Sequence, residues 1–266
     1  MTAEDLSRLT ILVTRPGAQC ESLCRLIDSM GGKGIPWPAL EIQAVDPDPG
    51  VLGRLADAGA ADLAIFVSRN AVEHGLHFIP PGPGIAAIGP STRRALERSG
   101  RSPDFDSPGF DSEALLTHAA LADLAGRRVY IIRGVGGREL LGETLRRRGA
   151  RVEYLEVYRR LSRVSSEAER SALLDRWSQG GIHVYTATSV QLLEALYADL
   201  GKEFRELLAC TPLVTASRRV VQRSEELGHR AERILAPGPD DRSLVAAIAS
   251  WPGRPPGPAG RSGSTT

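Results

Sequence analysis

The apolar residues of this chain fall into short runs that alternate with segments of helical spacing. In one stretch, the apolar run 129–132 is followed by leucines at helical spacing and then by a second extended run, 152–158. Short apolar runs are typical of buried strands, and the leucine spacing is typical of a helix packed on them. Gly149 stands where that helix would end, which favours a left-handed cap. The stretch therefore predicts a strand–helix–strand unit.

The same unit occurs earlier in the chain. An offset of 118 residues places Arg15 on Arg133, and an offset of 119 relates Phe66 to Tyr185. A repeat of this length is far longer than the unit of a solenoid. It predicts two similar α/β halves within one chain.

Strands that alternate with helices favour parallel sheets covered by helices on both faces. We therefore predict an α/β fold made of two doubly wound, flavodoxin-like domains. Among single elements, we predict a helix over 111–121, a polar connector over 161–166 and a final helix over 243–250. Arg138 is predicted to open the helix that follows the strand at 129–132.

The overall composition is that of an ordinary globular protein, with 42% hydrophobic and 24% charged residues. The net charge of +1 gives no field that would attract nucleic acid or a membrane surface, and we expect neither as a partner. No secretion signal or long apolar run is visible, which predicts a cytoplasmic location. Residues 252–266 are rich in Pro, Gly and Ser and predict a disordered tail.

The three cysteines include no CxxC pair. Cys20 and Cys24 are four residues apart on one predicted helix, so they are either a partial metal site or two packed thiols. No histidine lies near them in the sequence, and we therefore predict no metal.

The loops that follow the predicted strands consist largely of glycine and small hydroxyl residues at helix starts. In parallel sheets, ligands bind where strands end at their carboxyl side. Helix N-termini offer free backbone N–H groups to anions. These loops lack a nucleophile–base pair, so they indicate anion binding rather than nucleophilic catalysis.

Six motifs, in their order and spacing, resemble the uroporphyrinogen-III synthase family. They are VTRP (13–16), FVSRNAV (66–72), IGPSTRRAL (88–96), DSEALL (111–116), RGVGGRELL (133–141) and VYRR (157–160). Each motif alone is weak, because glycine and hydroxyl loops are common. The ordered set is specific and covers about residues 9–250.

The resemblance implies two α/β domains joined by two extended strands, with a cleft between the domains. The first domain would take residues 1–38 plus 162–250, and the second 45–155. The hinge strands would lie at 39–45 and 155–161.

The resemblance also implies an enzyme of haem biosynthesis whose substrate is hydroxymethylbilane, a linear tetrapyrrole with acetate and propionate arms. The enzyme closes it to uroporphyrinogen III with loss of water and inversion of the last ring. Spontaneous closure gives the uninverted isomer. The protein must therefore assist departure of the hydroxyl group and hold one conformation. No cofactor is implied.

Tyr158, in the VYRR motif, resembles the family's functional tyrosine and is the candidate acid. A phenol is protonated at neutral pH and donates a hydrogen bond to a leaving hydroxyl. The alternative is a hinge tyrosine that packs and caps.

Seven further residues are candidates for binding the carboxylate arms: Arg15, Ser68, Thr92, Arg133, Arg138, Thr188 and Ser217. Guanidinium groups match carboxylates, and hydroxyl groups at helix starts act beside free N–H groups. Two alternatives stay open: structural arginines that bind loop carbonyls, and hydroxyls that only cap helices. The second half departs from the family pattern, since Ala187 stands where the first half has Ser68.

The resemblance implies a monomer and leaves open a transient contact with the preceding deaminase. Two other classes compete with this assignment. One is a two-domain small-molecule-binding sensor without catalysis, which would need a DNA-binding module that is not visible. The other is a nucleotide-binding protein, but residues 134–137 give GxGG rather than GxGxxG.

Overall fold

The computed structural model describes residues 5–57, 61–107, 109 and 111–253. It divides into two compact units. The first takes the described residues up to Glu41 and from Leu161 onward, and the second takes Ile42–Arg160. The chain passes between the units twice, once within each of two strands.

The strands of the described residues are β1 (Thr10–Val13), β2 (Lys33–Pro36), β3 (Leu40–Ala44), β4 (Leu63–Phe66), β5 (Gly84–Ala87), β6 (Phe105–Asp106), β7 (Arg128–Gly134), β8 (Arg151–Ser162), β9 (Val184–Thr186), β10 (Leu213–Thr215) and β11 (Arg233–Leu235). The helices are α1 (Gly17–Ser29), α2 (Pro49–Ala56), α3 (Arg69–Gly75), α4 (Pro90–Arg98), α5 (Ser112–Leu115), α6 (Leu140–Arg147), α7 (Glu167–Ser178), α8 (Val190–Leu200), α9 (Arg205–Cys210), α10 (Arg218–Glu226) and α11 (Asp241–Ala249). Short 3₁₀ turns lie at Leu76–Phe78, Ala119–Leu121 and Lys202–Phe204.

The first unit is built on a five-stranded sheet with the order β11-β10-β9-β1-β2, and its strands pair in parallel. Successive residues of β1 face opposite sides, as in any strand. Leu12 packs into one apolar cluster, and Ile11 and Val13 pack into another. Because both faces are apolar, helices cover the sheet on both sides.

The second unit is built on a six-stranded sheet with the order β3-β8-β7-β4-β5-β6. Its central strands pair in parallel, with Ile65 opposite both Ala86 and Ile131. Tyr130 and Ile132 of β7 face one cluster, whereas Val129 and Ile131 face the other. The two-faced core recurs in this unit.

The strand orders follow the sequence repeat. Strands β2-β1-β9-β10-β11 of the first unit correspond to β8-β7-β4-β5-β6 of the second. Strand β7 contains Arg133, and the related Arg15 lies two residues after the end of β1. The prediction of two doubly wound α/β halves is confirmed.

Several element predictions are wrong in detail. The predicted helix over 111–121 is only the short α5, followed by a 3₁₀ turn in which the His118 ring accepts a hydrogen bond from the Ala120 N–H over 3.2 Å. The predicted connector at 161–166 begins inside β8, which runs to Ser162. The last helix begins at Asp241, because Asp240 caps it.

Two elements were not predicted. Strand β6 is only two residues long, and α9 follows a 3₁₀ turn after α8. The predicted tail falls mainly on residues 254–266, which lie outside the described residues.

Candidate functional site

A cavity of about 230 Å³ lies within the second unit, at the carboxyl ends of its parallel strands. Residues that directly follow β4 and β5 line it, together with the last residue of β7. Its lining is Val67, Ile88, Asp111, Ser112, Ile131, Arg133, Gly134, Gly137, Arg138, Leu141, Tyr154, Tyr158 and Arg160. This is the edge at which doubly wound sheets bind ligands.

Tyr158 is the largest fully buried side chain in this wall. The β7–β8 register shifts between Arg133 and Gly134, and the shift places Gly134 opposite Tyr158. A Cβ atom on Gly134 would lie 2.7 Å from Cε2 of the Tyr158 ring, closer than real Cβ contacts allow. Glycine at 134 is therefore what admits the aromatic ring at this position.

Ser68 follows β4 and is the N-cap of α3. Its Oγ accepts a hydrogen bond from the Ala71 N–H over 3.1 Å, which satisfies one free donor of the helix start. The same oxygen lies 3.1 Å from the Tyr158 hydroxyl, across 90 residues of sequence. The structure thus joins the candidate acid to one of the candidate substrate-binding hydroxyls.

Arg133 is buried and bound to carboxylates of the protein itself. Its Nη1 lies 2.9 Å from Glu139 Oε1, and its Nη2 lies 3.0 Å from Glu156 Oε1. The guanidinium carbon also lies 3.7 Å from the centroid of the Tyr154 ring. These contacts favour the structural alternative for Arg133.

Tyr154 completes this charged network by donating a hydrogen bond to Glu139 Oε2 over 2.6 Å. That bond, followed by the bond from Arg133, lowers the pKa of the Glu139 carboxyl. Burial, aided by the neighbouring Glu139 carboxylate, raises the pKa of the Tyr154 phenol.

Arg138 lies at the edge of the cavity with about half of its side chain exposed, and it forms a 3.0 Å ion pair with Glu113. The prediction that Arg138 opens a helix is wrong, since α6 begins at Leu140 and residues 135–139 form a turn and bend. Exposed ion pairs stabilise little, so this pair adds little to the stability of the fold.

Thr92 lies in the first turn of α4 and is buried. Its hydroxyl has no hydrogen-bond partner among the described residues. It does not line the cavity found at Tyr158. A buried hydroxyl without a partner is unusual, because a missing hydrogen bond costs about 1–3 kcal/mol.

Three predicted site residues belong to the first unit. Arg15 forms an ion pair with Asp241 and donates to Gln19 Oε1 over 3.0 Å. Thr188 is half-buried in the turn after β9, and Ser217 precedes α10 without a side-chain cap bond. The Ser217 hydroxyl is thus not used as the helix cap that the alternative reading assumed.

The structure therefore brings Arg133, Arg138 and Tyr158 together around one cavity, and Ser68 contacts Tyr158 without lining that cavity. Sequence reasoning missed Arg160, whose Nη2 donates to the Tyr158 hydroxyl oxygen over 3.0 Å. The missed signal was strand spacing, because residues two apart on a strand face the same side.

Cys20 and Cys24 are buried on α1, and the Cys20 thiol donates to the Val13 carbonyl over 3.2 Å. Across the described ranges, no group of three or more His, Cys, Asp or Glu side chains is arranged to hold a metal ion.

Within the same ranges, no helix has the length and apolar character needed to span a membrane.

The fold and the site define a class: a two-unit α/β protein with a phenol and several guanidinium groups at the carboxyl edge of one parallel sheet. A family model described as Uroporphyrinogen-III synthase HemD matches residues 21–246. The chain therefore belongs to the uroporphyrinogen-III synthase family, and the resemblance read from its motifs is confirmed.

Proteins named uroporphyrinogen-III synthase are similar to this chain over most of its length. Uroporphyrinogen-III synthase of Salmonella typhimurium is 34% identical over 251 residues, which cover 90% of this chain and all of the relative. The protein of the same name from Escherichia coli K12 is 33% identical over 250 residues, with the same coverage.

Solved structures support the fold. A mutant uroporphyrinogen III synthase from the extremely thermophilic bacterium Thermus thermophilus aligns with a TM-score of 0.59 at 18% identity, covering 90% of this chain and 98% of its own. The enzyme from Helicobacter pylori 26695 aligns with a TM-score of 0.60 at 14% identity, covering 91% and 99%.

Proposed function

We propose that this protein cyclises hydroxymethylbilane to uroporphyrinogen III, with loss of water and inversion of ring D. The observation that carries the proposal is the 34% identity to the Salmonella typhimurium synthase over that protein's entire length. The reaction needs a proton for the departing hydroxyl and a surface that holds anionic arms. The cavity of the second unit offers the Tyr158 phenol and three arginine side chains, Arg133, Arg138 and Arg160.

Tyr158 is the proposed acid. Tyr158 lines the cavity, and its hydroxyl is hydrogen-bonded to Ser68 and Arg160, so its position is fixed before substrate arrives. Fixed donors lower the barrier because no reorganisation is needed as charge develops. The phenol proton moves to the departing hydroxyl to form water, and the pyrrole supplies the electron pair that replaces the broken C–O bond.

The carboxylate arms are held by some of the seven candidate residues. Arg138 is the arginine among them whose ion pair is most exposed, which favours it over Arg15 and Arg133. Ser68, Thr92, Thr188 and Ser217 are hydroxyls beside helix starts, where backbone N–H groups add to their binding.

The two domains proposed are residues 1–38 plus 162–250 and residues 45–155, and the division into two compact units supports them. Strand β3 lies within the proposed hinge at 39–45, and β8 includes the proposed hinge at 155–161. We further propose a monomeric, cytoplasmic enzyme that needs no cofactor. Contact with the preceding deaminase would shorten the path of an unstable substrate.

The test of the reaction uses purified protein and hydroxymethylbilane generated in place by a deaminase, without added cofactor. Isomer chromatography of the oxidised product should show mainly the type III isomer above the spontaneous background. Binding without conversion would support the sensor alternative, and product that is all type I would overturn the assignment.

The test of the acid is Tyr158→Phe. The phenyl ring keeps its packing against Gly134, so thermal unfolding should change little. We expect turnover to fall, but by less than about 100-fold, because a phenol is a modest general acid. An unaltered kcat would remove Tyr158 from the mechanism.

A further inference from the structure

Arg160 is hydrogen-bonded to the candidate acid and is not one of the predicted site residues. Its Nη2 donates to the Tyr158 oxygen over 3.0 Å, and its guanidinium carbon lies 5.4 Å from the centroid of the phenol ring. Both residues are on β8, two positions apart, so their side chains leave the same face of the strand. Arg160 also lines the cavity.

Among the residues that the structure describes, no carboxylate shares the charge of Arg160. Arg133 binds Glu139 and Glu156, and Arg138 binds Glu113. Arg160, by contrast, has no ion pair with any carboxylate of the described ranges. Arg160 is itself exposed to solvent, and the phenol oxygen of Tyr158 accepts its Nη2 hydrogen bond.

Two of the hydrogen bonds around Tyr158 and Ser68 can run in only one direction. A guanidinium group has no acceptor, so Arg160 can only donate to the phenol oxygen. The Ala71 N–H likewise can only donate to Ser68 Oγ. Only one hydrogen can lie between the Ser68 and Tyr158 oxygens. When it comes from Ser68, the phenol hydrogen is available to the cavity.

We propose that Arg160 is a positioning residue for Tyr158, holding the phenol oxygen as an acceptor and stabilising it once its proton is gone. The inference rests on the proposed function. When the substrate C–O bond breaks, the phenol proton completes the departing water. The phenolate then accepts two hydrogen bonds, one from Arg160 and one from the Ser68 hydroxyl. The proton lost as the macrocycle closes restores the phenol, so no other reactant is needed.

The test compares Arg160→Gln with Arg159→Gln in the full chain. Arg159 is the adjacent exposed arginine of β8 and leaves the other face of the strand, so it is a matched control for charge and position. We expect Arg160→Gln to lower kcat about three- to tenfold with KM nearly unchanged, the size of one charge-assisted hydrogen bond in the transition state. Arg159→Gln should match the parent, and Arg160→Lys should recover part of the lost kcat.

A second arm repeats Arg160→Gln in the Tyr158→Phe background. If Arg160 acts through the phenol, its removal should have no further effect there, because the two changes remove one unit. A raised KM of equal size in both backgrounds would instead make Arg160 a substrate-carboxylate ligand and overturn the proposal. Full kcat in Arg160→Gln would overturn it as well. The proposed function is judged separately, by whether the parent protein forms the type III isomer at all.

Discussion

The two units carry the same residue at some repeated positions and different residues at others. Arg15 follows β1 and Arg133 lies near the end of β7, and both form ion pairs with acidic side chains of their own unit. Both guanidinium groups are largely buried, with 12% and 9% of their side chains exposed. The shared arginine therefore belongs to the scaffold that the two halves have in common.

Tyr158 and Ser68, by contrast, have no polar counterparts in the first unit. The same offsets of 118 and 119 place Leu40 at the position of Tyr158 and Ala187 at that of Ser68, and both counterparts are buried apolar residues. Pro16 stands in place of Gly134, the glycine that admits the Tyr158 ring. The arginine shared by the two units therefore belongs to the scaffold, whereas the polar residues without a polar counterpart in the first unit belong to the candidate site.

The strongest challenge to this comparison is removal of the shared arginines. Arg15→Met and Arg133→Met should each lower the free energy of unfolding by about 1–3 kcal/mol. Breaking a buried pair costs about 3–5 kcal/mol, and the loss is smaller here because the carboxylates are partly exposed. For a chain of this size each kcal/mol lowers Tm by about 2–4 °C. Urea or thermal unfolding measures the effect.

Arg25→Met is the matched control, because its pair with Glu21 on α1 is highly exposed. It should change the free energy of unfolding by less than about 0.5 kcal/mol. If Arg133→Met left stability intact and raised KM, Arg133 would be a substrate ligand, and the shared position would not mark the scaffold.

A sharper comparison uses two serines that cap helices in the same way. Ser68 accepts from the Ala71 N–H over 3.1 Å, and Ser189 accepts from the Leu192 N–H over 3.2 Å. Ser68→Ala and Ser189→Ala should each cost about 1 kcal/mol of stability through loss of the cap. Only Ser68→Ala should lower kcat, by about three- to tenfold, because only Ser68 also contacts the Tyr158 hydroxyl. Equal kcat values in the two variants would contradict a role for Ser68 beyond capping.

The scaffold could be predicted from the sequence because it depends on local pattern. The apolar run at 129–132 predicted a strand, and the offset from Arg15 to Arg133 predicted the related halves. The predicted extended run ends at 158, before the end of β8. The last residues of that strand, 159–162, are exposed and lack the apolar alternation that indicates a strand.

The candidate site was predicted only in part. Motif resemblance reached Tyr158 and Ser68, but their contact depends on packing across 90 residues and on the register shift opposite Gly134. The sequence could not predict that Arg133 pairs with Glu139 and Glu156, or that Arg160 has no such pair within the described ranges. No short-range pattern determines which carboxylate a side chain contacts.

In the second unit, Glu139 and Tyr154 add further contacts to the shared arginine, Arg133, and changing them should affect stability only slightly. Glu139 has a counterpart in Glu21 at the same offset of 118, but Glu21 pairs with Arg25 on the surface, whereas Glu139 binds Arg133 and Tyr154. Because these bonds hold the pKa of Glu139 below its ordinary value, they stabilise the fold above the unfolded-state pKa of about 4.3. That stabilisation is lost as the pH falls through the lower folded-state pKa.

Tyr154→Phe removes the first of these bonds. Near neutral pH the variant should be less stable than the parent by a few tenths of a kcal/mol, since Glu139 is largely exposed to solvent. The difference should shrink as the pH falls below about 4 and vanish once the carboxyl is protonated in both states. Urea unfolding of parent and variant between about pH 2.5 and 7 measures it. A stability difference that stayed constant over this pH range would mean that Tyr154 stabilises the fold by packing alone. Arg133 would then differ from Arg15 only in which carboxylates it pairs with.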